Sequence, residues 1–388
     1  MLTKLFWCHF VLVAFLSFEV FGQECRIDFK KDLTSKSPVF LKNGKLQTPL
    51  GQYLKWNTGE ESNLVCNGPK NLFINENINT VRIKCNNNIL TVNGRRVDLK
   101  KLECNSISTG DVRTTNKKCE ANGNILEIGF DTQNDGFVKY IEVCYNLKSA
   151  SVVYTRHTIP GAAIDYSISE SARPTFSTKG MPKHVRPNTS YKQSNELERL
   201  TNLLGARSAK GYIKPNSFLA RGHLSPDKDG IFRGWQFATY MYVNVAPQWQ
   251  TINAINWLKV ENLARKKAAL LNDNLEIVTG VSGLLSLQND RGQYVQITLE
   301  NDGNIRVPEY FWKILKYKNS AIAFVTLNNP FEYTKPFCTD ICGKYGWPTS
   351  DFDIVEKGLT FCCSTIELSN AFRSDVPKDM ITKSILKF

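Results

Sequence analysis

Six cysteines fall between residues 25 and 144 (Cys25, Cys66, Cys85, Cys104, Cys119 and Cys144), four lie near the end (Cys338, Cys342, Cys362 and Cys363), and none lies between these two groups. An eleventh, Cys8, sits in an apolar run over residues 5–18. That run follows Lys4 and precedes Val20, Phe21 and Gly22, which reads as an export signal cut near Gln23. It is too short to span a bilayer, and no later stretch has the roughly 20 apolar residues that a span needs. The chain is therefore expected outside the cell, with no membrane partner. There, ten remaining cysteines predict five disulfides. Because six and four are each even, they predict two covalently closed units whose internal pairing spacing does not reveal. A zinc cage from the last four is disfavoured, since the vicinal pair Cys362 and Cys363 suits tetrahedral geometry poorly.

Loss of the signal removes Lys4 and Glu19 together, so the formal excess of +13 survives. A basic exported protein points to a polyanion, whether nucleic acid, a heparin-like glycan or an anionic surface.

A mature chain of about 365 residues suggests two domains after the signal at 1–22. Residues 23–148 read as a small disulfide-stapled β-rich domain. Short alternating runs over 79–84 and 137–143 are separated by the hairpin dipeptides Asn93-Gly94 and Asp135-Gly136. This region has no histidine, and its basic cluster Arg95, Arg96, Lys100 and Lys101 reads as a solvated face. Residues 149–388 read as α+β. A helix over 194–204 stops at Gly205, a strand covers 217–224, and a long helix starts at Thr251 as N-cap. Strands over 275–279, closed by Gly280, over 310–315 and over 321–327 follow. Asn188-Thr189-Ser190 is a glycosylation sequon.

Only His157, His184 and His223 remain to offer a base near neutral pH. Arg221 lies two residues before His223 and so shares its face of an extended strand. Gly222 between them is expected to keep the backbone open to a large ligand. The other two histidines lack such company, and both are expected to be structural and dispensable for turnover. After Pro247, the residues Asn253, Trp257, Glu261 and Arg265 follow at steps of four and form one helical stripe. Read plainly, the stripe contains an ion pair between Glu261 and Arg265. Read chemically, Asn253 offers one neutral oxygen to a magnesium ion that keeps most of its waters, and Glu261 could accept hydrogen bonds from those waters. The ion would polarise a phosphate while His223 takes a proton from attacking water.

Arg221-Gly222-His223, the segment Asn244-x-x-Pro247-Gln248, Asn253 and Glu261 resemble the signature of the DNA/RNA non-specific endonucleases, a ββα-metal family. The resemblance covers roughly residues 150–388 and is greatest to a secreted arthropod branch that includes salivary enzymes of blood-feeding sand flies. It implies a ββα-metal nuclease domain behind the β-rich one. His223 would be the base, Asn253 the metal ligand, Glu261 the carboxylate that organises water and Arg221 a phosphate contact. Arg265 is assigned to the substrate backbone, and Asn244 and Gln248 to support of the site. Mg2+ is the implied cofactor, with Mn2+ as a substitute. Double-stranded DNA is the favoured polymer, with RNA and single strands as alternatives, and degradation of host DNA, including that released by neutrophils, is the implied task. Ala220 departs from the family pattern, which has Asp there. The competing reading is a polyanion-binding protein without turnover on the same fold. The aromatic residues Trp235, Phe237, Tyr240, Tyr242 and Trp249 are read as core rather than as base-stacking platforms.

Overall fold

The computed structural model describes residues 24–388 except 75, 133–135 and 170–171; the export signal lies outside the described residues. Among the described residues no helix is long and apolar enough to cross a membrane.

The frame is a nine-stranded sheet. Its path runs Thr360–Cys363, Ser320–Leu327, Tyr310–Tyr317, Asn274–Ser282, Ser151–Pro160, Gly136–Asn146, Asn124–Thr132 and Asp111–Lys118, all antiparallel, with Ser384–Ile385 added in parallel to Ser320–Leu327. Alternation along these strands divides the molecule into two cores. Leu275, Ile277, Phe311, Leu315, Ile322 and Phe324 pack with Trp257, Val260 and Ala264 of the long helix. Their neighbours Val278, Trp312, Ile314, Ala323 and Val325 face the C-terminal segment through Leu368, Val376 and Met380. Burial on both faces explains why Ser320–Leu327 is almost wholly apolar. Gly280, expected to close its strand, lies inside Asn274–Ser282, where a Cβ would come within 2.1 Å of the Trp312 ring.

A second, six-stranded sheet is built from residues 39–96. Asn93 and Gly94, both at positive φ (50° and 77°), turn the chain between Val92 and Arg95 as the dipeptide predicts. The five predicted disulfides form within the two expected groups: Cys25–Cys85, Cys66–Cys104, Cys119–Cys144, Cys338–Cys363 and Cys342–Cys362.

The boundary expected between residues 148 and 149 does not coincide with a break in pairing. Gly136–Asn146 and Ser151–Pro160 on either side of it are adjacent strands of the large sheet. The N-terminal strands also brace the segment that leads away from His223. Phe29 and Phe40 pack their rings on Phe232 at 5.1 and 6.3 Å, and Gly110 lies so close to Ala238 that a Cβ there would come within 2.7 Å.

Candidate active site

The strand Leu219–His223 pairs antiparallel with Val245–Trp249, and the chain passes directly from the second strand into a helix. Alternation puts Arg221 and His223 on one face with Val245 and Pro247, and Ala220 and Gly222 on the other with Gln248 and Ala246. The side-by-side placement expected of Arg221 and His223 is therefore present. Phe176 touches both, its ring 5.2 Å from the His223 ring and 5.6 Å from the Arg221 guanidinium. The half-buried loop carrying Phe176 offered no periodic signal in the sequence.

Gly222 has a different reason to be glycine from the one expected. Its Cβ would lie 2.7 Å from Gln248 Cβ and 2.6 Å from Gln248 Oε1, so the space above it is filled by protein. Gln248, fully buried against it, therefore stands on the face away from His223. Gly222→Ala should cost about 1–3 kcal/mol through overpacking, to be read as a lower denaturant midpoint at unchanged m-value. An unchanged midpoint would show that Gln248 moves aside freely.

His223 Nε2 is buried with no hydrogen-bond partner among the described residues. Burial pulls the imidazole down to about 4; Asp227 opposes this and Arg173 reinforces it. Tyr240 meets the ring edge-on at 5.0 Å and donates its hydroxyl to Asp227 Oδ2 at 2.8 Å. Arg221 donates Nε to the Tyr242 hydroxyl at 3.0 Å, and its guanidinium lies within 5.6 Å of the Phe176, Tyr191 and Tyr242 rings. This aromatic cradle fixes the fork by cation–π contact. Among the described residues no carboxylate forms an ion pair with it, so its terminal nitrogens are available to a phosphate.

The helix begins at Gln250 with Trp249 as N-cap, so Thr251 is an interior residue and not the expected cap. Residues Asn253–Trp257 form a π-helical turn before the regular helix Leu258–Leu271. Such turns are frequent at functional sites. The half-buried side chain of Asn253 makes no hydrogen bond among the described residues. Glu261 is buried, also without a hydrogen bond there, and burial pushes its carboxyl up to about 7; Lys313 and Arg265 pull it down, while Asp229 and Asp227 push it further up. The Asn253 amide oxygen and the Glu261 carboxylate, neither held by a hydrogen bond among the described residues, are both hard donors of the type that a divalent cation with several retained waters takes.

Arg265 departs from both expectations. It pairs with Asp229 Oδ1 at 2.7 Å and Asn262 Oδ1 at 2.7 Å, forms no ion pair with Glu261, and its side chain is only 13% exposed. It holds a buried carboxylate instead of reaching toward a substrate. Asn244 is fully buried and clamps the chain after His223, accepting from Ser225 N at 3.0 Å and donating to Ser225 O and Thr239 O.

Beneath the site runs a polar row that the sequence analysis missed. Thr155, Thr279 and Lys313 are cross-strand neighbours, all fully buried, on the sheet face that carries the long helix. Lys313 Nζ donates to Leu224 O at 3.2 Å and to Thr279 Oγ1, and lies 5.3 Å from the Trp257 ring. The available signal was a lysine alternating with Phe311 and Leu315 on the apolar face of its strand.

His157, one turn of the pleat from Thr155, belongs to the same layer. Its Nε2 lies 2.9 Å from Asp229 Oδ2 and its Nδ1 2.9 Å from Ser225 Oγ. Burial lowers the His157 pKa; Asp229 stays low because bonds from His157 and Arg265 offset its own burial. A neutral imidazole beside an ionised carboxylate carries its proton on Nε2 and accepts from Ser225 at Nδ1. His157 thus ties down the loop 224–230 that follows His223. The expectation that it is dispensable gives way to a different one: His157→Ala should cost about 2–4 kcal/mol and slow turnover by loosening that loop. Thermal unfolding checks the first effect, and a wild-type rate in a folded variant would contradict the second. His184 is exposed, 3.3 Å from Asn304 Nδ2, and takes no part in this cluster. The aromatic residues read as core are so: Trp235, Tyr240, Tyr242 and Trp249 are buried, and Phe237 is half-buried.

The family described as DNA/RNA non-specific endonuclease matches residues 121–367. A salivary endonuclease of Lutzomyia longipalpis is 33% identical over 95% of this chain and 89% of its own length. A salivary endonuclease of Culex quinquefasciatus is 26% identical over 89% of this chain and 88% of its own. Among solved structures, one of the EndoG/EndoGI complex aligns at 15% identity and a TM-score of 0.34, covering 62% of this chain and 86% of that one.

Proposed function

Since the chain belongs to the DNA/RNA non-specific endonuclease family, a family of metal-dependent nucleases, we propose that it is an exported, magnesium-dependent enzyme that hydrolyses phosphodiester bonds of double-stranded DNA without reading sequence. The observation that carries this reading is the juxtaposition of the half-buried His223 imidazole, whose Nε2 has no hydrogen-bond partner among the described residues, with the free guanidinium edge of Arg221 on one strand face.

In this mechanism Arg221 binds a non-bridging phosphate oxygen and sets the scissile group beside His223. His223 takes a proton from the attacking water. Asn253 would hold Mg2+ (or Mn2+) through its amide oxygen and Glu261 would orient water through its carboxylate; when bound, the cation would supply positive charge against the phosphate and the leaving oxygen. Asn244 and the His157–Asp229–Arg265 group hold the loop behind His223 in place.

The net charge of +13 favours a polyanion without selecting its sequence. No zinc finger or basic zipper is present among the described residues to read base edges. The reading extends to export through the N-terminal signal and to removal of host DNA, including neutrophil DNA, as the task of a salivary protein. The direct test incubates purified protein with supercoiled plasmid, linear duplex, single-stranded DNA and RNA, with and without EDTA. Duplex cleavage lost in EDTA supports the reading. Binding without cleavage of any polymer would replace it with that of a polyanion binder.

Salt dependence gives a separate expectation. Affinity for random duplexes should fall steeply between roughly 50 and 200 mM salt as counterions are released. Arg221→Ala should weaken binding to all sequences alike and make the slope shallower by about one unit. Fluorescence anisotropy over a salt series measures both, and cleavage confined to one short motif would contradict the sequence indifference.

A further inference from the structure

The sequon asparagine lies on the outer wall of the Arg221 cradle. Asn188 is exposed, and its Oδ1 accepts a hydrogen bond from the Tyr242 hydroxyl at 2.8 Å. That same hydroxyl accepts from Arg221 Nε at 3.0 Å. Only one tyrosine oxygen therefore separates Asn188 from the side chain assigned to the phosphate. Asn188 Nδ2 makes no hydrogen bond among the described residues, so the nitrogen that a glycan would use is free while the oxygen is engaged.

We propose that Asn188 carries an N-linked oligosaccharide which stands at the rim of the Arg221–His223 site and restricts entry of double-stranded nucleic acid more than entry of small phosphodiesters. The inference rests on the nuclease reading above and on export.

The chemistry is a group transfer. A C–N bond forms between Asn188 Nδ2 and the anomeric carbon of an N-acetylglucosamine. The anomeric C–O bond to a lipid diphosphate donor breaks, the diphosphate leaves with the electron pair, and the amide loses one proton. No oxidant or reductant is needed. Transfer must precede folding, because the Ser190 hydroxyl that completes the sequon is buried in the folded chain, held between the acceptors Arg186 O at 3.0 Å and Glu300 Oε1 at 2.8 Å. Once attached, the sugar does not disturb the Tyr242 bond, which uses the other amide atom. Its bulk instead lies beside the guanidinium. A duplex presents two strands and must lie across the rim to place a phosphate on Arg221, whereas a small diester needs only the pocket.

The test uses the full chain secreted from cells blocked in glycan processing, so that an endoglycosidase trims the oligosaccharide to one sugar without changing any residue. Mass spectrometry of the peptide containing Asn188 reads occupancy. Duplex affinity by anisotropy in EDTA reads access without requiring cleavage, and turnover of bis-p-nitrophenyl phosphate with Mg2+ reads the pocket itself. The expected result is an occupied Asn188, a several-fold gain in duplex affinity on trimming and unchanged turnover of the small diester. Asn188→Gln, which keeps an amide, should match the trimmed protein. An unmodified Asn188 overturns the proposal. So does an occupied site whose trimming leaves duplex affinity unchanged, or one whose trimming alters both substrates equally. Absence of turnover on every substrate, with the affinity gain intact, would overturn the nuclease reading and leave the glycan placement standing.

Discussion

Replacing His223 by alanine should slow duplex cleavage by roughly 10²- to 10⁴-fold, the range a positioned general base supplies, while the protein stays folded. The side chain makes no hydrogen bond through Nε2, and its ring contacts, tilted on Phe176 and edge-on to Tyr240, are packing that a partly exposed site can relax. The pH profile sharpens this expectation. Burial holds the free imidazole down to about 4, so it is deprotonated, and competent as a base, across the neutral range. Its contribution is present above that value and is lost as pH falls through it. A bound phosphate adds negative charge beside the ring, favours the imidazolium and raises its pKa in the complex. The acid limb of kcat should therefore lie at higher pH than the limb of kcat/KM that His223 sets. Near-normal turnover of a folded His223→Ala protein would transfer the role of base to another residue. Coincident limbs would remove the argument that the substrate's charge reaches His223.

The second large effect concerns the cation. EDTA should abolish cleavage, and added Mg2+ or Mn2+ should restore it. Asn253→Ala should reproduce the loss in the presence of the metal. The residue is well placed for such a test because its side chain holds nothing else among the described residues, and alanine is a better helix former than asparagine. Stability should therefore be unchanged or slightly higher. Calorimetric titration with Mg2+ should show a binding heat for the native protein that disappears in the variant, whereas Asn253→Asp, which keeps an oxygen in place, should retain measurable turnover. Cleavage persisting in EDTA, or a metal affinity unaffected by Asn253→Ala, would remove Asn253 from this role. Glu261 adds a linkage. Its carboxyl is held protonated by burial up to about 7, so metal binding below that pH should release a proton and weaken as pH falls.

Much of the site was legible in the chain because its chemistry lies on short local patterns. The two-residue step from Arg221 to His223 dictates a shared strand face, Pro247 blocks an earlier helix, and the polar residues at Asn253 and Glu261 mark one side of the helix that follows. The even division of cysteines fixed closure into two groups, since oxidised pairs require even numbers. Gly205, at φ 90°, ends its helix where the spacing predicted.

Tertiary structure decided the choice of partner, because periodicity tells which way a side chain points and nothing about which distant segment it will meet. Arg265 had Glu261 one helical turn away as a plausible mate, yet the buried carboxylate of Asp229 claimed it, and the buried Glu261 is left without a hydrogen bond among the described residues. Gly222 was right as a requirement for glycine and wrong as to its cause, because Gln248 arrives across the strand pair. Thr155 and Thr279 carry no local mark of their role, and Lys313 only that of a lysine between Phe311 and Leu315. They become a polar row only when three strands far apart in sequence align in register and Leu224 O is left in need of a donor. Pairing across residue 148 was hidden for the same reason: sequence composition changes there, but the backbone hydrogen bonds of Gly136–Asn146 are completed by Ser151–Pro160, and a sheet edge left open at that point would have no partner. What the sequence by itself determined is which face of its strand or helix each candidate group occupies; the long-range pairing that buries, orients and charges those groups exists only in the folded molecule.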